Sequence, residues 1–257
     1  MEKATVIGGF GFFGFHLCKI LLERGYEVVG IPYGNESASY KEDMMNEIGR
    51  NGNFQSMPYE SKAEFLEDPG VIVISMYDWL NLDDHKNCLQ SLRSIIEKKD
   101  WEGPVVLVLP IELAFTEDCI AESESETIMK VYLPTLFGPY QPERYIFQKM
   151  ILGKTDSPDP NQEYTGDAIY CDDAAEKVIE LIERGKAETF VLRSNCKDNW
   201  RSCAELLGMS LPESLQSNDI IYERLQIESV VASVSNKEGI ARQRRSAIRT
   251  ICEAWNL

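Results

Sequence analysis

The chain has 257 residues, of which 44% are hydrophobic and 26% are charged, a composition typical of a globular protein and unlike a disordered or fibrous one. Its 26 Lys and Arg residues against 42 Asp and Glu residues give a formal net charge of −16, which disfavours nucleic acid and anionic membrane surfaces as partners. No apolar run approaches the roughly 20 residues that a bilayer requires. The residues from Met1 lead into a strand instead of a signal-peptide core. We therefore predict a cytoplasmic protein.

Cysteine and histidine usage excludes two common kinds of site. The seven cysteines are an odd number without a Cys-x-x-Cys pair, which favours reduced thiols over a disulfide framework. The two histidines, His16 and His85, lack a second ligand at metal-binding spacing, so no metal site is predicted. The sequence also contains no Gly-x-Ser-x-Gly motif, and a Ser-His-Asp triad is therefore not predicted.

The first 31 residues predict a βαβ unit. A strand is predicted over Ala4–Gly8, a helix from Phe15 that ends at Gly25, and a second strand over Glu27–Ile31. Between the first strand and the helix stand three glycines spaced three apart, namely Gly8, Gly11 and Gly14. Glycine lets the backbone approach a pyrophosphate closely, and the start of a helix offers free N–H groups.

This context favours a phosphate-binding turn over the alternative of a purely structural tight turn. Two further positions are predicted to lie beside a bound dinucleotide, Pro32 and Ser75. The predicted cofactor-binding residues are Gly8, Gly9, Phe10, Gly11, Phe12, Phe13, Gly14, Pro32 and Ser75.

The middle of the chain continues the alternation of strands and helices that a doubly wound sheet requires. Further strands are predicted over Val71–Ile74, Val105–Leu109 and Ile128–Leu133. A helix with one apolar stripe is predicted between the first two of these, its stripe formed by Leu82, Leu89, Leu92, Ile95 and Ile96. The acidic residues Glu117, Asp118, Glu122, Glu124 and Glu126 predict a solvated face, which would repel a diphosphate if it lay near a substrate site.

The carboxyl-terminal part predicts a strand over Phe190–Ser194, a helix over Trp200–Leu207 and an amphipathic helix over Lys237–Trp255. The apolar side of that last helix is predicted to consist of Ile240, Ala247, Ile248, Ile251 and Trp255. It also carries a basic cluster, Arg242, Arg244, Arg245 and Arg249. These arginines are interpreted as surface residues that form salt bridges and interact with the helix dipole. The alternative is a surface that binds a partner or an anion.

Three segments resemble the extended short-chain dehydrogenase/reductase family, which includes NAD-dependent epimerases and dehydratases. They are the glycine turn with Leu21–Gly30 after it, Leu133–Pro139 and Asp167–Ala175, in the order of the family's own motifs. The resemblance covers residues 3 to 207. It implies an α/β fold, a Rossmann-type doubly wound parallel sheet with a small C-terminal α/β lobe, and NAD or NADP as cofactor. The predicted domains are residues 1–135 and 136–257, which the chain can interleave.

The residues that carry catalysis in this family have no counterpart here. The resemblance implies a Ser or Thr after the fifth strand and a Tyr-x-x-x-Lys on the next helix, whose Tyr is the acid/base. Leu109 and Pro110 stand where the hydroxyl belongs, and Ile111–Thr127 contains no Tyr. The one Tyr-x-x-x-Lys, Tyr145 with Lys149, follows the Gly138-Pro139 pair and is interpreted as structural. No catalytic residue is predicted.

Cofactor preference is also left open. A carboxylate about 20 residues past the glycines usually binds the adenosine ribose, but Pro32 stands there, with Glu36 as a more distant candidate. His16 is interpreted as a packing residue. Without the catalytic helix, half of the family's usual four-helix dimer interface is missing, so a monomer or a non-standard homodimer is predicted.

Two functions remain open at this point. The first is an NAD(P)-binding protein that has lost standard catalysis and serves as a sensor, regulator or subunit, with a dinucleotide or small nucleotide as ligand. The second is an active nucleotide-sugar epimerase, dehydratase or reductase with an unusual acid/base, for which Tyr77, Glu112 and the Tyr145/Lys149 pair are the candidates.

Overall fold

A computed structural model of the chain describes residues 2–32, 38–58, 70–78, 103–115, 128–154, 159, 163–211 and 225–255. The strands are β1 (Lys3–Ile7), β2 (Glu27–Ile31), β3 (Phe54–Ser56), β4 (Val71–Ser75), β5 (Val105–Pro110), β6 (Ile128–Leu133), β7 (Thr135–Phe137), β8 (Ala168–Tyr170), β9 (Thr189–Ser194) and β10 (Gln226–Val230). The helices are α1 (Phe12–Glu23), α2 (Ala38–Ile48), α3 (Ile146–Ile151), α4 (Cys171–Arg184), α5 (Asn199–Leu206) and α6 (Asn236–Trp255), with a 3-10 helix over Ile111–Phe115.

The chain divides into two compact units, residues 1–132 with 179–189, and residues 133–178 with 190–257. In the first unit the strands lie in the order β3-β2-β1-β4-β5-β6. The pairs β1–β2, β1–β4, β2–β3 and β4–β5 are parallel, and Ile7 lies opposite both Ile31 and Ile74. The sheet therefore has the doubly wound parallel order that the sequence predicted. Strand order reverses between β1 and β4, which is the point where open α/β sheets bind ligands.

Helix α1 packs on this sheet because nearly every residue along it is apolar and buried. The core side includes Phe13, Leu17 and Leu21, which are all inaccessible to solvent. The helix ends at a left-handed Gly25, whose N–H donates to the Leu22 carbonyl while the Tyr26 N–H donates to the Leu21 carbonyl. These two bonds satisfy carbonyls that the end of a helix leaves unpaired, as the predicted glycine cap requires.

The second unit contains two short parallel ladders. Strand β7 pairs with β8, with Thr135 opposite Ala168, and β10 pairs with β9, with Gln226 opposite Phe190. Helix α6 contacts both α5 and β7. No helix within the described residues has the length and hydrophobicity needed to cross a membrane.

The structure confirms the predicted strands and helices that fall on described residues and corrects two details. Helix α1 begins at Phe12 instead of Phe15, so its first turn lies inside the glycine motif. The apolar side of α6 was predicted wrongly at Ile248, which is 53% exposed, because the buried side runs through Ile240, Gln243 and Ala247. The predicted stripe Leu82–Ile96, the acidic run Glu117–Glu126 and Glu36 lie outside the described residues.

Candidate functional site

The turn after β1 is fixed by glycine geometry at its first position. Gly8 has a φ of +84°, a left-handed conformation that residues with a Cβ rarely adopt. The N–H groups of Gly8 and Gly9 both donate to the Ile31 carbonyl, at 2.8 and 3.1 Å. The chain therefore turns sharply at the carboxyl end of β1 and is tied there to the end of β2.

The last glycine of the motif lets helix and strand approach. A Cβ placed on Gly14 would lie 1.8 Å from the Gly8 carbonyl oxygen, a distance at which backbone must move. A Cβ on Gly9 would lie 3.1 Å from Gly30 Cα. Gly8 therefore makes the tight turn and Gly14 allows the close packing of helix on strand, which are the roles of the first and third glycines of a dinucleotide-binding turn.

The middle glycine faces a side chain that the sequence analysis did not single out. A Cβ on Gly11 would lie 2.8 Å from Asp78 Oδ2. The same oxygen accepts the Phe13 N–H at 3.2 Å, in the first turn of α1. Asp78 follows β4 by three residues, so it arrives at the strand-order reversal from the neighbouring strand. The position where backbone normally approaches a pyrophosphate thus holds the chain's own carboxylate.

The predicted aromatic positions of the turn form core. Phe10, Phe12 and Phe13 are buried, and Tyr77 packs edge-on or tilted against Phe12 and Phe13 with ring centroids 6.4 and 6.1 Å apart. Phe12 also contacts His16 edge-to-face at 5.6 Å, in keeping with the packing role predicted for this histidine. At these three phenylalanines, only the backbone is available to a ligand.

The two predicted positions at strand ends differ in their surroundings. Pro32 is partly exposed just past β2. Ser75, the last residue of β4, is 1% exposed, and its hydroxyl oxygen has no hydrogen-bond partner among the residues that the structure describes. Burying a hydroxyl without a partner costs free energy. Ser75 follows the residue paired with the end of β1, and its hydroxyl adds a polar group to this edge of the sheet.

The end of β5 carries apolar side chains where the family places its hydroxyl. Pro110 ends the strand, and Ile111 and Leu113 are buried in the 3-10 helix that follows. Glu112, a candidate for an unusual acid/base, is exposed. Between Val105 and Phe115 the sequence contains no Ser, Thr or Tyr.

Tyr145 and Lys149 belong to the second unit. Tyr145 is buried, precedes the six-residue helix α3, and lies beneath the Arg144 guanidinium at 5.0 Å from the ring centre. The Lys149 N–H donates to the Tyr145 carbonyl, so the pair shares one helical turn. Tyr77, the remaining candidate, is only 3% exposed.

The second family-like motif includes β7 and the turn after it. Three buried glutamines form a hydrogen-bonded network at this turn. Gln243 of α6 accepts the Gly138 N–H through Oε1 at 3.0 Å, and its Nε2 donates to Gln141 at 2.6 Å and Gln148 at 2.9 Å. Gln141 in turn donates to the Leu136 carbonyl. Neither the pattern of apolar residues nor the resemblance indicated Gln243; its spacing from Ile240 and Ala247 is the available signal.

The third motif, Asp167–Ala175, begins with a buried carboxylate. Asp167 accepts hydrogen bonds from the N–H groups of Ala168 at 2.8 Å and Ser194 at 2.7 Å. Burial raises the pKa of Asp167 to about 6, against the opposing effect of these two bonds and of Arg193. Burial likewise raises the pKa of the Cys203 thiol to about 12. The Asp167 carboxylate thus joins β8 to β9 within the second unit.

The basic cluster of α6 is engaged by neighbouring side chains. Arg242 and Arg245 both bind Glu238, at 2.9 and 3.0 Å, and these arginines hold the pKa of Glu238 below its usual range. Arg249 donates to the Tyr140 hydroxyl at 2.8 Å. For Arg242 and Arg245 the geometry fits the interpretation of these arginines as salt-bridge residues.

A cavity of about 410 Å³ opens at the other end of the first unit's strands. It is lined by the amino halves of β1 and β2 and by β3 with the turn before it. Ligand sites of doubly wound sheets lie at the carboxyl ends of the strands, so we do not assign the cofactor to this cavity.

Comparisons with known proteins agree with this fold. No protein-family model matches the chain. It is 37% identical over 79 residues to protein CapI of Staphylococcus aureus, a match that covers 28% of this chain and 24% of that protein. The chain therefore matches only about a quarter of the length of this curated relative.

Solved structures match over nearly the whole chain. Pal from Bacillus thuringiensis superposes with a TM-score of 0.65 at 14% identity, covering 97% of this chain and 99% of that one. dTDP-glucose 4,6-dehydratase from Bacillus anthracis in complex with NAD gives 0.63 at 13%, covering 97% of both chains. UDP-glucose 4-epimerase from Thermotoga maritima with UDP-glucose gives 0.61 at 16%, covering 97% and 99%. The chain thus has the Rossmann-type fold of the extended short-chain dehydrogenase/reductase epimerases and dehydratases, as its sequence motifs predicted.

Proposed function

We propose that this protein binds a dinucleotide, NAD or NADP, at the Gly8–Gly14 turn and acts as a sensor, regulator or subunit without standard epimerase, dehydratase or reductase turnover. The turn's geometry carries the proposal. Gly8 supplies the left-handed turn, Gly14 lets α1 approach β1, and both lie where strand order reverses. Similar structures that hold NAD support the same choice of ligand.

The residues that surround the end of β5 support the proposed loss of catalysis. Transfer of a proton to or from a sugar hydroxyl requires a positioned acid/base, which contributes about 10²–10⁴-fold to the rate. Pro110, Ile111 and Leu113 bring no such group to this strand end, and no Tyr follows before residue 128. Catalytic residues that act together lose most of their joint effect when one of them is removed. A site without the Tyr, the Lys and the hydroxyl therefore retains little rate enhancement.

Binding is tested by titration calorimetry with NAD⁺, NADH, NADP⁺ and NADPH. We expect binding by the natural protein and its loss in Gly11→Val, because a branched side chain would fill the space into which a phosphate must come. Gly52→Val is the matched control, since a Cβ at Gly52 meets nothing within 4 Å. Affinity that is equal in Gly11→Val and the natural protein would exclude this turn as the site.

Turnover is tested by incubating the protein with each cofactor and a panel of nucleotide sugars, with mass spectrometry of the products. We expect no product above a protein-free control. Product formation that disappears in Tyr145→Phe would overturn the proposal and assign the chemistry to the Tyr145/Lys149 pair. Product formation that survives this change would direct attention to Tyr77 and Glu112.

A further inference from the structure

We propose that Asp78 is an internal competitor for phosphate that sets the affinity and selectivity of the Gly8–Gly14 turn. This inference rests on the proposed function and concerns the regulation of the same site. In the unliganded protein the Asp78 carboxylate would take the place of a phosphate oxygen, and a ligand phosphate would have to displace it.

The first support is the position of the carboxylate. Asp78 Oδ2 lies 3.2 Å from the Phe13 nitrogen, on an N–H group that α1 itself leaves unpaired in its first turn. It also lies 2.8 Å from the point where a Cβ of Gly11 would be. One oxygen therefore makes the backbone hydrogen bond and fills the space that a dinucleotide-binding turn keeps for pyrophosphate.

The second support is charge. The start of a helix stabilises one anion near its free N–H groups, and a carboxylate there gains from the same partial positive charge that a phosphate would use. Two anions within about 4 Å of each other repel strongly at the partly buried edge of a protein. Phosphate and the Asp78 carboxylate therefore exclude each other from this place.

The third support is that Asp78 can leave. Its hydrogen bond to Phe13 is partly buried rather than enclosed, and the side chain lies in the turn that follows β4, outside the strand ladder. Tyr77 beside it is held by Phe12 and Phe13, so the turn itself stays anchored while the carboxylate swings away. The proposed exchange is a rotation of the Asp78 side chain away from the Phe13 N–H.

The experiment compares the natural protein with Asp78→Ala, Asp78→Asn and Glu23→Gln. Asp78→Ala removes both charge and occupant, whereas Asp78→Asn removes the charge and keeps an oxygen for the Phe13 N–H. Glu23→Gln changes the net charge by the same amount at the opposite end of α1. Each variant is titrated with NAD⁺ and with NADP⁺ by calorimetry, and its melting temperature is measured with and without inorganic pyrophosphate.

We expect NAD⁺ to bind Asp78→Ala about tenfold to a hundredfold more tightly than the natural protein, with Asp78→Asn in between and Glu23→Gln unchanged. Pyrophosphate should raise the melting temperature of Asp78→Ala more than that of the natural protein. If Asp78→Ala does not fold, the Asp78→Asn comparison decides the matter by the same two measurements.

The possible failures are distinguishable. Equal NAD⁺ affinity in the natural protein and both Asp78 variants would overturn the role of Asp78 while leaving the proposed function intact. A larger pyrophosphate response in Asp78→Ala than in the natural protein, without binding of NAD⁺ or NADP⁺ by any variant, would support the role of Asp78 and overturn the proposed function. If no variant responds to any of these probes, both are overturned.

Discussion

The glycine turns after β1 and after β7 satisfy their backbone groups in opposite ways. After β1, the first turn of α1 donates the Phe13 N–H to the Asp78 carboxylate in a partly buried hydrogen bond. After β7, the Gly138 N–H is bonded to Gln243, and the three glutamines that close this turn are at most 1% exposed. The first turn thus depends on a partly buried contact, whereas the second depends on a fully buried network.

This difference supports the choice of the first turn, rather than the second, as the proposed ligand site. A buried amide network leaves no polar group for a ligand and specifies one arrangement of α6 against the turn, because each member satisfies another. The first turn of α1, by contrast, has N–H groups that the helix itself leaves unpaired, and one of them bonds to a side chain from the turn after β4. Substitutions in the two turns should therefore differ in kind, one set affecting ligand binding and the other folding.

The largest expected effect is that of Gly14→Ala. Its methyl group would meet the Gly8 carbonyl oxygen at 1.8 Å, and backbone cannot yield without separating α1 from β1. We expect the free energy of unfolding to fall by about 4 kcal/mol or more, measured by urea denaturation. Gly11→Ala is the control, since its methyl group would lie 2.8 Å from the Asp78 carboxylate and no closer than 3.3 Å to backbone, at the Gly8 carbonyl oxygen. It should cost about 1 kcal/mol or less. Equal losses in the two variants would contradict this account of the turn.

The second effect is that of Gln243→Leu in the other turn. It leaves the Gly138 N–H and the side-chain oxygens of Gln141 and Gln148 without their buried partner. We expect a loss of about 3 kcal/mol in the free energy of unfolding, with NAD⁺ affinity unchanged. Arg244→Ala, on the exposed side of the same helix, should stay within about 0.5 kcal/mol of the natural protein. A Gln243 variant of natural stability would show that the network is not what holds this turn.

A pH dependence should mark the second unit through Asp167. Its pKa is raised from 3.8 to about 6, so between these pH values the native state keeps a proton that the unfolded chain releases. The free energy of unfolding should therefore decrease by about 2 kcal/mol as pH rises from about 4 to 6, and this component should be constant above pH 7.

Asp167→Asn tests this dependence because it removes the titrating group. The decrease between pH 4 and 6 should become smaller by about 2 kcal/mol in urea titrations of that variant. It should remain in full in Asp198→Asn, an exposed position where φ is +53° and Asn is well tolerated. If Asp167→Asn keeps the natural pH profile, the dependence belongs to other groups.

The smallest expected effect is the loss of the cap in Asp78→Ala. Without a ligand, removing the acceptor of the Phe13 N–H should lower the free energy of unfolding by about 1 kcal/mol. Asp78→Asn keeps an acceptor oxygen and should lose less than half of that. A variant that binds NAD⁺ more tightly yet is less stable alone would show that the carboxylate substitutes for ligand. Unchanged stability in Asp78→Ala would show that the bond is too weak to compete.

Local patterns in the sequence predicted most of the fold. Strand β1, the turn and α1 follow from a β-branched run, from glycine spacing and from apolar residues at helical spacing, all of which act within a few residues. The start of α1 was placed three residues late, because apolar periodicity cannot locate a first turn that also carries Gly14. Ile248 was placed on the buried side of α6 since an isoleucine fits that side by composition, whereas packing selects Gln243.

By itself, the sequence determined that this chain forms a doubly wound sheet with a glycine turn and that a Tyr is missing between residues 111 and 127. Only the tertiary structure decided what occupies that turn and what closes the second one. Asp78 reaches the Phe13 N–H across 65 residues, and Gln243 reaches Gly138 across 105. Hydrogen bonds between residues so far apart depend on strand order and helix packing, which bring distant segments together and leave no local pattern in the chain.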